Sequence, residues 1–273
     1  MTICEKKKFL LEKESYDIDD LVTVIEVLRS DEGCPWDREQ DHKSIRKDLI
    51  EETYEVVEAI DTDDPVLLRE ELGDLLLQVV FHTQIEAEKQ VFVLGDVAND
   101  ICVKLIHRHP HVFGNVEADT SEKVLANWEI IKSEEKSRKT ITDKLRAIPP
   151  MLPALMRAEK VGKKASCFDF PDSASVMLKL KEELSELEEA MEAGDKSNIE
   201  EEMGDLLLTV TSLCRKLSIE PEVALNKATD KFIDRFEAIE KEVVSQGYDM
   251  KELSIAELDA IWDKNKEKNS KKL

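Results

Sequence analysis

The sequence contains the same acidic, glycine-bearing decamer twice. EELGDLLLQV occupies residues 70–79 and EEMGDLLLTV occupies residues 201–210. Three more pairs of segments recur in the same order: LIEETYEVVEAI at 49–60 with LKEELSELEEAM at 180–191, KLIHR at 104–108 with KFIDR at 231–235, and NWEIIK at 127–132 with IWDKNK at 261–266. Recurrence in one order at nearly constant spacing indicates that a single module, roughly 110–120 residues long, has been duplicated.

The two copies set the expected domain boundaries. Residues 133–153 begin polar and charged and end with Pro149, Pro150 and Pro153, which is typical of a linker followed by a new start. We expect a charged N-terminal tail over 1–18, an N-terminal domain over 19–140, a linker over 141–153 and a C-terminal domain over 154–273.

The pattern within each copy is helical. The chain has only eight glycines and eight prolines in 273 residues, and helix-forming Glu, Lys, Leu and Ala dominate it. Apolar residues recur at helical spacing on both sides of a break, which is DTDDP at 61–65 in the first copy and EAGDKSN at 192–198 in the second. Each copy therefore predicts an antiparallel helical hairpin followed by further helices. The expected fold class is all-α, with two tandem modules of a four-helix-bundle-like architecture.

Hairpin geometry predicts that acidic side chains converge. Residues whose sequence midpoint falls in the turn lie opposite one another, and the midpoints of Glu51 with Asp74 and of Glu55 with Glu71 both fall within DTDDP. Spacings of three and four then place acids of each helix on one face. We expect two clusters, called the first quartet (Glu52, Glu55, Glu71 and Asp74) and the second quartet (Glu183, Glu186, Glu202 and Asp205).

Four adjacent carboxylates repel one another and raise one another's pKa unless a positive charge neutralises them. Hard divalent cations prefer such oxygen ligands, so we expect Mg²⁺ in both quartets, with Mn²⁺ as a possible substitute. Gly73 and Gly204 fit this hypothesis if a neighbouring helix or a ligand approaches them closely. A solvated acidic helix face is the alternative for any one E-E-x-x-E, but the duplication favours metal binding. A di-iron centre is disfavoured because neither quartet has histidine at Glu-x-x-His spacing.

The net charge indicates which binding partners are disfavoured, and the cysteine content indicates the cellular compartment. A formal net charge of −22 disfavours nucleic acid and anionic membrane surfaces as partners, because both attract basic proteins. The start of the chain does not resemble a signal peptide, and no apolar run reaches the length of a membrane helix. Five scattered cysteines without a C-x-x-C pair suggest reduced thiols and a cytoplasmic protein.

These motifs resemble the all-α nucleoside triphosphate pyrophosphohydrolases. E-E-x-x-E followed by E-x-x-D is typical of that superfamily, and GCPWDREQ at 33–40, ELGDLLLQVVF at 71–81 and RHPHVFG at 108–114 make the chain similar to the tandem-domain MazG family over about residues 18–270. The resemblance implies Mg²⁺-dependent hydrolysis of nucleoside and deoxynucleoside triphosphates to the monophosphate and pyrophosphate. It also implies broad base tolerance, a role in controlling the nucleotide pool and a helical homodimer.

The resemblance also assigns residues. The second quartet becomes the metal ligands of the working site, and Glu182 becomes the group that orients or deprotonates the attacking water. Substrate binding falls to Lys179, Lys231, Arg235, Trp262 and Lys266, with Trp262 stacking on the base. The first copy offers the first quartet with Lys104, Arg108, Trp128 and Lys132. In the family the C-terminal copy is usually credited with hydrolysis, and the resemblance leaves open whether the first copy is active or has a structural or regulatory role. A lysine that the family often has before the second E-x-x-D is replaced by Asn198, with Lys196 nearby.

Two other function classes remain open from the sequence. The chain can be a helical module that binds nucleotides or a partner protein without hydrolysing anything, which predicts tight nucleotide binding without turnover. A plain helical scaffold predicts neither property and leaves the repeated acids unexplained.

Overall fold

The protein was analysed as a computed structural model that describes residues 1–135 and 140–270, without the side chains of 133, 134 and 265–270. The described residues form fourteen α-helices and two short 3₁₀ turns, with no strand among them. The chain divides into two compact units, Met1–Lys132 and Ser133–Leu273. The prediction of an all-α fold built from two helical modules is confirmed.

The first unit consists of eight helices, the last of which extends three residues past the division. They are α1 (Ile3–Leu11), α2 (Ile18–Arg29), α3 (Pro35–Glu39), α4 (Arg46–Asp61), α5 (Pro65–Glu88), α6 (Leu94–Arg108), α7 (Pro110–Phe113) and α8 (Ser121–Glu135).

The second unit has six helices and the two 3₁₀ turns, which lie at Ser166–Phe168 and Met250–Glu252. The helices are α9 (Ile141–Arg146), α10 (Ala154–Lys164), α11 (Ser173–Ala193), α12 (Lys196–Lys216), α13 (Pro221–Ser245) and α14 (Ile255–Ser270).

The same capping device starts the second helix of each predicted hairpin. Asp64 caps α5 by accepting from the backbone N–H groups of Val66 and Leu67, and Asp195 caps α12 by accepting from those of Ser197 and Asn198. These side chains satisfy amide groups that the first helical turn leaves without partners. The preceding helix α11 ends at Ala193 and is capped by Gly194, whose φ of 70° is easily adopted only without a side chain. The hairpins α4–α5 and α11–α12 follow from this turn chemistry.

A compact apolar core holds the first unit together behind its hairpin. Ile25, Ile45, Val80, Phe81 and Ile85 form the buried cluster. The guanidinium of Arg29 lies over the Phe81 ring at 5.1 Å and donates two hydrogen bonds to the carboxylate of Glu88, at 2.7 and 2.9 Å. Arg29 also donates to the carbonyl oxygens of Asp37 and Gln40. It therefore fixes the ends of α2, α3 and α5 in one arrangement.

An ion-pair cluster performs the equivalent task in the second unit. Arg215 of α12 donates to both carboxylate oxygens of Asp169, at 2.5 and 2.6 Å, and Lys216 lies 2.8 Å away from the same group. These hydrogen bonds and charges hold the pKa of Asp169 well below its usual range. The segment before α11 is thereby anchored to the C-terminal end of α12.

Two segments expected to be irregular contain helix. Residues 1–18, expected to be a charged tail, include α1, which begins with a capping box between Thr2 and Glu5 and pairs with α2 through Lys6 and Glu26. Residues 141–153, expected to be a linker, include α9, which has a capping box between Thr140 and Asp143. Local capping forms both helices, and the surrounding charge pattern obscured them.

The hairpins leave broad apolar surfaces exposed. In α4–α5 the exposed apolar side chains are Ile50, Tyr54, Val57, Ile60, Val66, Leu72, Leu76 and Val79, and in α11–α12 they are Met177, Leu178, Leu184, Met191, Met203, Leu207, Leu208 and Val210. Within the described part of the chain, no helix combines the length and apolar character needed to cross a membrane.

Candidate metal centre

The first quartet is assembled by the α4–α5 hairpin. Helix α4 provides Glu52 and Glu55, and helix α5 provides Glu71 and Asp74. One carboxylate oxygen from each of Glu52, Glu55 and Glu71 lies within 4.8 Å of the other two. Asp74 is outside this triad, but its charge acts on Glu52. Three of the four predicted acids therefore converge, and the charge of the fourth, Asp74, still contributes to the raised pKa of Glu52.

Burial and neighbouring acids raise the pKa of two members of the first quartet, Glu52 and Glu71. Burial is the largest cause that raises the pKa of Glu52 to about 7, followed by its hydrogen bond with Glu55 and the charges of Asp74, Glu55 and Glu71. Burial and the charge of Glu55 also raise the pKa of Glu71. The triad is therefore poised to bind a positive charge, whether a proton or a metal ion.

The α11–α12 hairpin repeats the arrangement. One carboxylate oxygen from each of Glu183, Glu186 and Glu202 lies within 4.8 Å of the others. Glu183 is 5% exposed. Burial and the charges of Glu186, Glu183 and Asp205 raise the pKa of Glu202. Asp205 again stands just outside the triad.

A lysine distinguishes the second quartet from the first. The Nζ atom of Lys179 lies 2.7 Å from Oε1 of Glu182, 3.0 Å from Oε1 of Glu183 and 3.8 Å from Oε2 of Glu186. The hydrogen bonds to Glu182 and Glu183 raise the pKa of Lys179. Lys179 thus contacts the predicted metal ligands in addition to the group predicted to act on water.

The donor set of both triads fits a hard divalent cation. All donors are carboxylate oxygens, and each triad draws them from two helices of one hairpin. Burial and neighbouring acids raise the pKa of Glu52 in the first unit and of Glu202 in the second. Ca²⁺, Mg²⁺ and Mn²⁺ take such oxygen ligands, whereas zinc sites favour histidine and cysteine.

Of the residues predicted to bind substrate, Lys179 contacts the second quartet, whereas Arg235 of α13 and Trp262 of α14 lie together. The ring of Trp262 lies 5.3 Å from that of Phe232 and 5.9 Å from the guanidinium carbon of Arg235. Lys231 is exposed on α13, and the side chain of Lys266 lies outside the described residues. Across the described side chains, no hydrogen bond or ion pair connects Lys231, Arg235 or Trp262 with the second quartet.

The first unit has a corresponding basic and aromatic cluster. Arg108 and Lys132 both lie over the ring of Trp128, at 5.1 and 4.1 Å from its centroid. Arg108 is 5% exposed, whereas Lys104 is exposed. The tryptophan in this unit is thus already in contact with two cationic side chains of its own chain.

Of the two reasons expected for Gly73 and Gly204, close approach by a neighbouring helix is not seen among the described residues. A Cβ atom placed on either glycine would meet no described atom within 4 Å. Both residues point into open space, so packing within the described chain does not demand glycine at these positions. The alternative, close approach by a ligand, stays a prediction.

A second titratable cluster escaped the sequence analysis. In the first unit, Nδ1 of His42 lies 2.8 Å from Nδ1 of His82, and Nε2 of His42 lies 2.6 Å from Oε1 of Glu86. The rings are nearly parallel, at 17°. When Glu86 is ionised, it accepts from the Nε2–H group of His42, so a neutral His42 accepts at Nδ1 from His82. The spacing of four between His82 and Glu86 was the only signal in the sequence, and it gave no reason to add His42.

Comparison with known proteins places the chain in a family. The model of the MazG nucleotide pyrophosphohydrolase domain matches twice, at residues 40–113 and 172–243, which contain the first and second quartets. The nucleoside triphosphate pyrophosphohydrolase/pyrophosphatase MazG of Thermotoga maritima is 45% identical over 91% of this chain and 95% of its own length.

Other relatives have similar names. The nucleoside triphosphate pyrophosphohydrolase of Escherichia coli strain K12 is 43% identical over 91% of this chain and 97% of its own length. One of the same name from Mycobacterium tuberculosis is 41% identical over 52% of this chain and 45% of its own length. Two matching domains and near full-length similarity show that the chain belongs to the MazG nucleotide pyrophosphohydrolase family and carries the family domain twice.

Proposed function

We propose that this protein hydrolyses nucleoside and deoxynucleoside triphosphates to the monophosphate and pyrophosphate, with Mg²⁺ as cofactor and Mn²⁺ as a substitute. The observation that carries the proposal is the carboxylate triad that forms in each unit. Relatives named nucleoside triphosphate pyrophosphohydrolase support hydrolysis of nucleoside triphosphates. We further propose broad base tolerance and a role in controlling the nucleotide pool of the cytoplasm.

Charge determines how this acidic protein can bind an anionic substrate. A nucleoside triphosphate carries about four negative charges, and the second quartet would repel it without a cation in between. A divalent cation bound there supplies positive charge to phosphate oxygens and makes the phosphorus that is attacked more electrophilic. Glu183, Glu186, Glu202 and Asp205 are the residues that would hold it.

The remaining groups act on water and on the substrate. Glu182 follows Lys179 by one turn of α11 and is more than half exposed, so its carboxylate can accept a proton from a water beside the quartet. The water oxygen forms a bond to the α-phosphorus, the bond to the bridging oxygen breaks, and pyrophosphate leaves. Lys231, Arg235 and Lys266 bind phosphates, and Trp262 stacks on the base, which explains tolerance of different bases because every base offers a π-face.

We also propose that the protein acts as a homodimer. A two-helix hairpin cannot bury both of its apolar faces, and α11–α12 exposes Leu207 and Leu208 at 51% and 46%. A second copy of the chain, offering the same surface, would cover these side chains and complete a four-helix arrangement. The acidic net charge makes nucleic acid and anionic membranes unsuitable partners.

Pyrophosphate release tests the proposed activity and assigns it to a site. A panel of nucleoside and deoxynucleoside triphosphates is assayed with and without Mg²⁺ on the wild type, Glu202→Gln and Glu71→Gln. We expect Glu202→Gln to lose at least a hundredfold in rate and Glu71→Gln to retain most activity, because we assign hydrolysis to the second unit and a structural or regulatory role to the first. Glu188→Gln, an exposed change on α11, is the matched control.

Two outcomes would contradict the proposal. Activity that persists in both quartet variants would remove the metal assignment. Nucleotide binding without any pyrophosphate release by the wild type would instead favour a sensing module.

A further inference from the structure

The two quartets differ in charge at one equivalent position. The offset that relates EELGD to EEMGD also relates Lys179 in α11 to Asp48 in α4 (201 − 70 = 179 − 48 = 131). Each residue lies one helical turn before the first ligand of its quartet, on the same helix as two quartet members. The repeat has therefore placed a cation beside one acidic cluster and an anion beside the other.

The ammonium group of Lys179 lies against two carboxylates of the second quartet. Its ammonium contacts carboxylate oxygens of Glu183 and Glu186, and the Glu183 side chain is only 6% exposed. An ammonium has three donors on a flexible stem and no fixed geometry, so it neutralises carboxylates without locking them in place. Because like charges repel, the ammonium opposes a divalent cation that binds the same carboxylates.

The first quartet has no such internal cation. Among the described residues, no lysine, arginine or histidine forms an ion pair with Glu52, Glu55, Glu71 or Asp74. The nearby Lys47 pairs with Glu51 instead, at 3.8 Å, where both side chains are more than half exposed. Asp48 adds a further negative charge on the same helix.

We propose that Lys179 is an internal competitor for the metal of the second quartet, and that it releases the carboxylates when a nucleoside triphosphate offers it phosphate oxygens. The first quartet, with Asp48 at the equivalent position, binds a divalent cation without nucleotide. This inference rests on the proposed function. Metal and nucleotide then bind the second unit with positive coupling, and by linkage each raises the affinity of the other. Metal binding in the first unit is independent of nucleotide.

Manganese titration of the full-length chain tests the inference without any measurement of activity. Free Mn²⁺ is followed by electron paramagnetic resonance in the absence of nucleotide. We expect a tighter class of sites that Glu71→Gln removes and a weaker class that Glu202→Gln removes. Lys179→Met should tighten the weaker class about tenfold, the equivalent of about 1.4 kcal/mol. Lys181→Met, a neighbouring exposed lysine without a described ion pair, should change neither class.

Two further experiments test the same idea from the opposite direction. Asp48→Lys introduces the competitor into the first unit and should weaken the tighter class about tenfold, whereas Asp48→Asn should change it much less. Addition of a non-hydrolysable triphosphate analogue should tighten the second class in the wild type, and the increase should be much smaller in Lys179→Met.

The results separate this inference from the proposed function. Unchanged second-class affinity in a folded Lys179→Met protein would overturn the competitor role, as would two equal classes in the wild type. If Lys179→Met fails to fold, the Asp48 pair decides, because an equal effect of lysine and asparagine would overturn the inference. No Mn²⁺ binding in either unit would overturn the metal site itself and with it the proposed function.

Discussion

At the scale of single residues, the quartets combine partial burial with mutual repulsion. The pKa of Glu52 is raised to about 7, chiefly by burial and then by its acidic neighbours. A folded protein that binds this proton more tightly than the unfolded chain is stabilised at low pH, and it loses that stabilisation as the pH rises from about 4.5 to about 7. At higher pH the repulsion remains until a cation binds.

Glu52→Gln should therefore stabilise the metal-free protein at pH 8. Removing the charge should raise the free energy of unfolding of the first unit by about 1 kcal/mol, a value reduced for solvent screening. At pH 5 the gain should shrink, because wild-type Glu52 is then protonated when folded. Mg²⁺ should reverse the order at pH 8, since the variant lacks a metal ligand. Urea unfolding at both pH values, with Glu188→Gln as control, measures this, and a variant equally or less stable at pH 8 without metal would refute it.

The sequence was sufficient to predict that the acids of each hairpin converge, but it did not predict which other side chains contact them. The midpoint of a hairpin is readable from sequence, so the convergence of Glu52 with Glu71 and of Glu183 with Glu202 followed from the turn position. The contact of Lys179 with the same acids depends on how a long flexible side chain is packed, which spacing does not reveal. Spacing also could not decide between a helix and a ligand as the neighbour of Gly73 and Gly204, because a glycine within a helix says nothing about what lies outside it.

At the scale of elements, capping aspartates fix where the second helix of each hairpin begins. The first unit also has a polar contact between α5 and the segment before α4, called the histidine joint, formed by His42, His82 and Glu86. His42, in the segment before α4, bridges His82 and Glu86 of α5. Burial, and then the charge of His42, lower the pKa of His82. Other charged groups near the joint are Asp41, Lys43 and Lys89, and Lys89 contacts Glu86 at 2.7 Å. The joint is therefore most stable when His82 is neutral.

Acidification from pH 7 to pH 5 should weaken this joint. The lowered pKa of His82 means that the unfolded chain takes up a proton near its ordinary value of about 6.5, whereas the folded protein resists it, so stability falls as the pH drops through that window. Glu86 has a lowered pKa and loses its contribution only at more acidic values. His82→Phe should reduce the decrease in melting temperature between pH 7 and pH 5 relative to wild type. An identical decrease in both proteins would show that the histidine does not contribute.

The helical hairpins were predictable because their turn sequences are short and occur in both copies. The breaks at DTDDP and EAGDKSN, each with a capping aspartate, are sufficient to place the hairpins α4–α5 and α11–α12 in the sequence. Helices α1 and α9 were not predicted, because the charged composition of their segments is typical of tails and linkers. Each of them begins with a capping box, which is a weaker signal in the sequence than composition. Arg29 and Asp169, which anchor elements distant in sequence, could not be found by periodicity.

At the scale of the whole molecule, the hairpins of both units expose many large apolar side chains. In α12, Leu207 and Leu208 belong to an LLL run and are exposed, and the same LLL run occurs in α5. Exposed apolar patches of this kind mark association surfaces. A homodimer is the simplest closed assembly that covers them.

Leu207→Glu should convert the proposed dimer to a monomer. The chain mass is 31.2 kDa, so light scattering after size exclusion should report about twice that value for the wild type and a value near the chain mass for the variant. Met151→Glu, also a highly exposed apolar residue, is the control and should remain dimeric. Equal masses for Leu207→Glu and the wild type would place the interface elsewhere.

We propose that the clustered carboxylates of both units bind divalent cations, and that the cation of the second unit lets an acidic protein hold a triphosphate. Anomalous diffraction from crystals of the protein soaked in Mn²⁺ tests it most directly, because the anomalous signal locates each ion independently of any assumption about ligands. We predict a manganese peak coordinated by Glu52, Glu55 and Glu71, and a second one by Glu183, Glu186 and Glu202 that strengthens when a triphosphate analogue is present. Manganese bound only elsewhere, with both triads free of it and their carboxylates pointing into solvent, would contradict the claim.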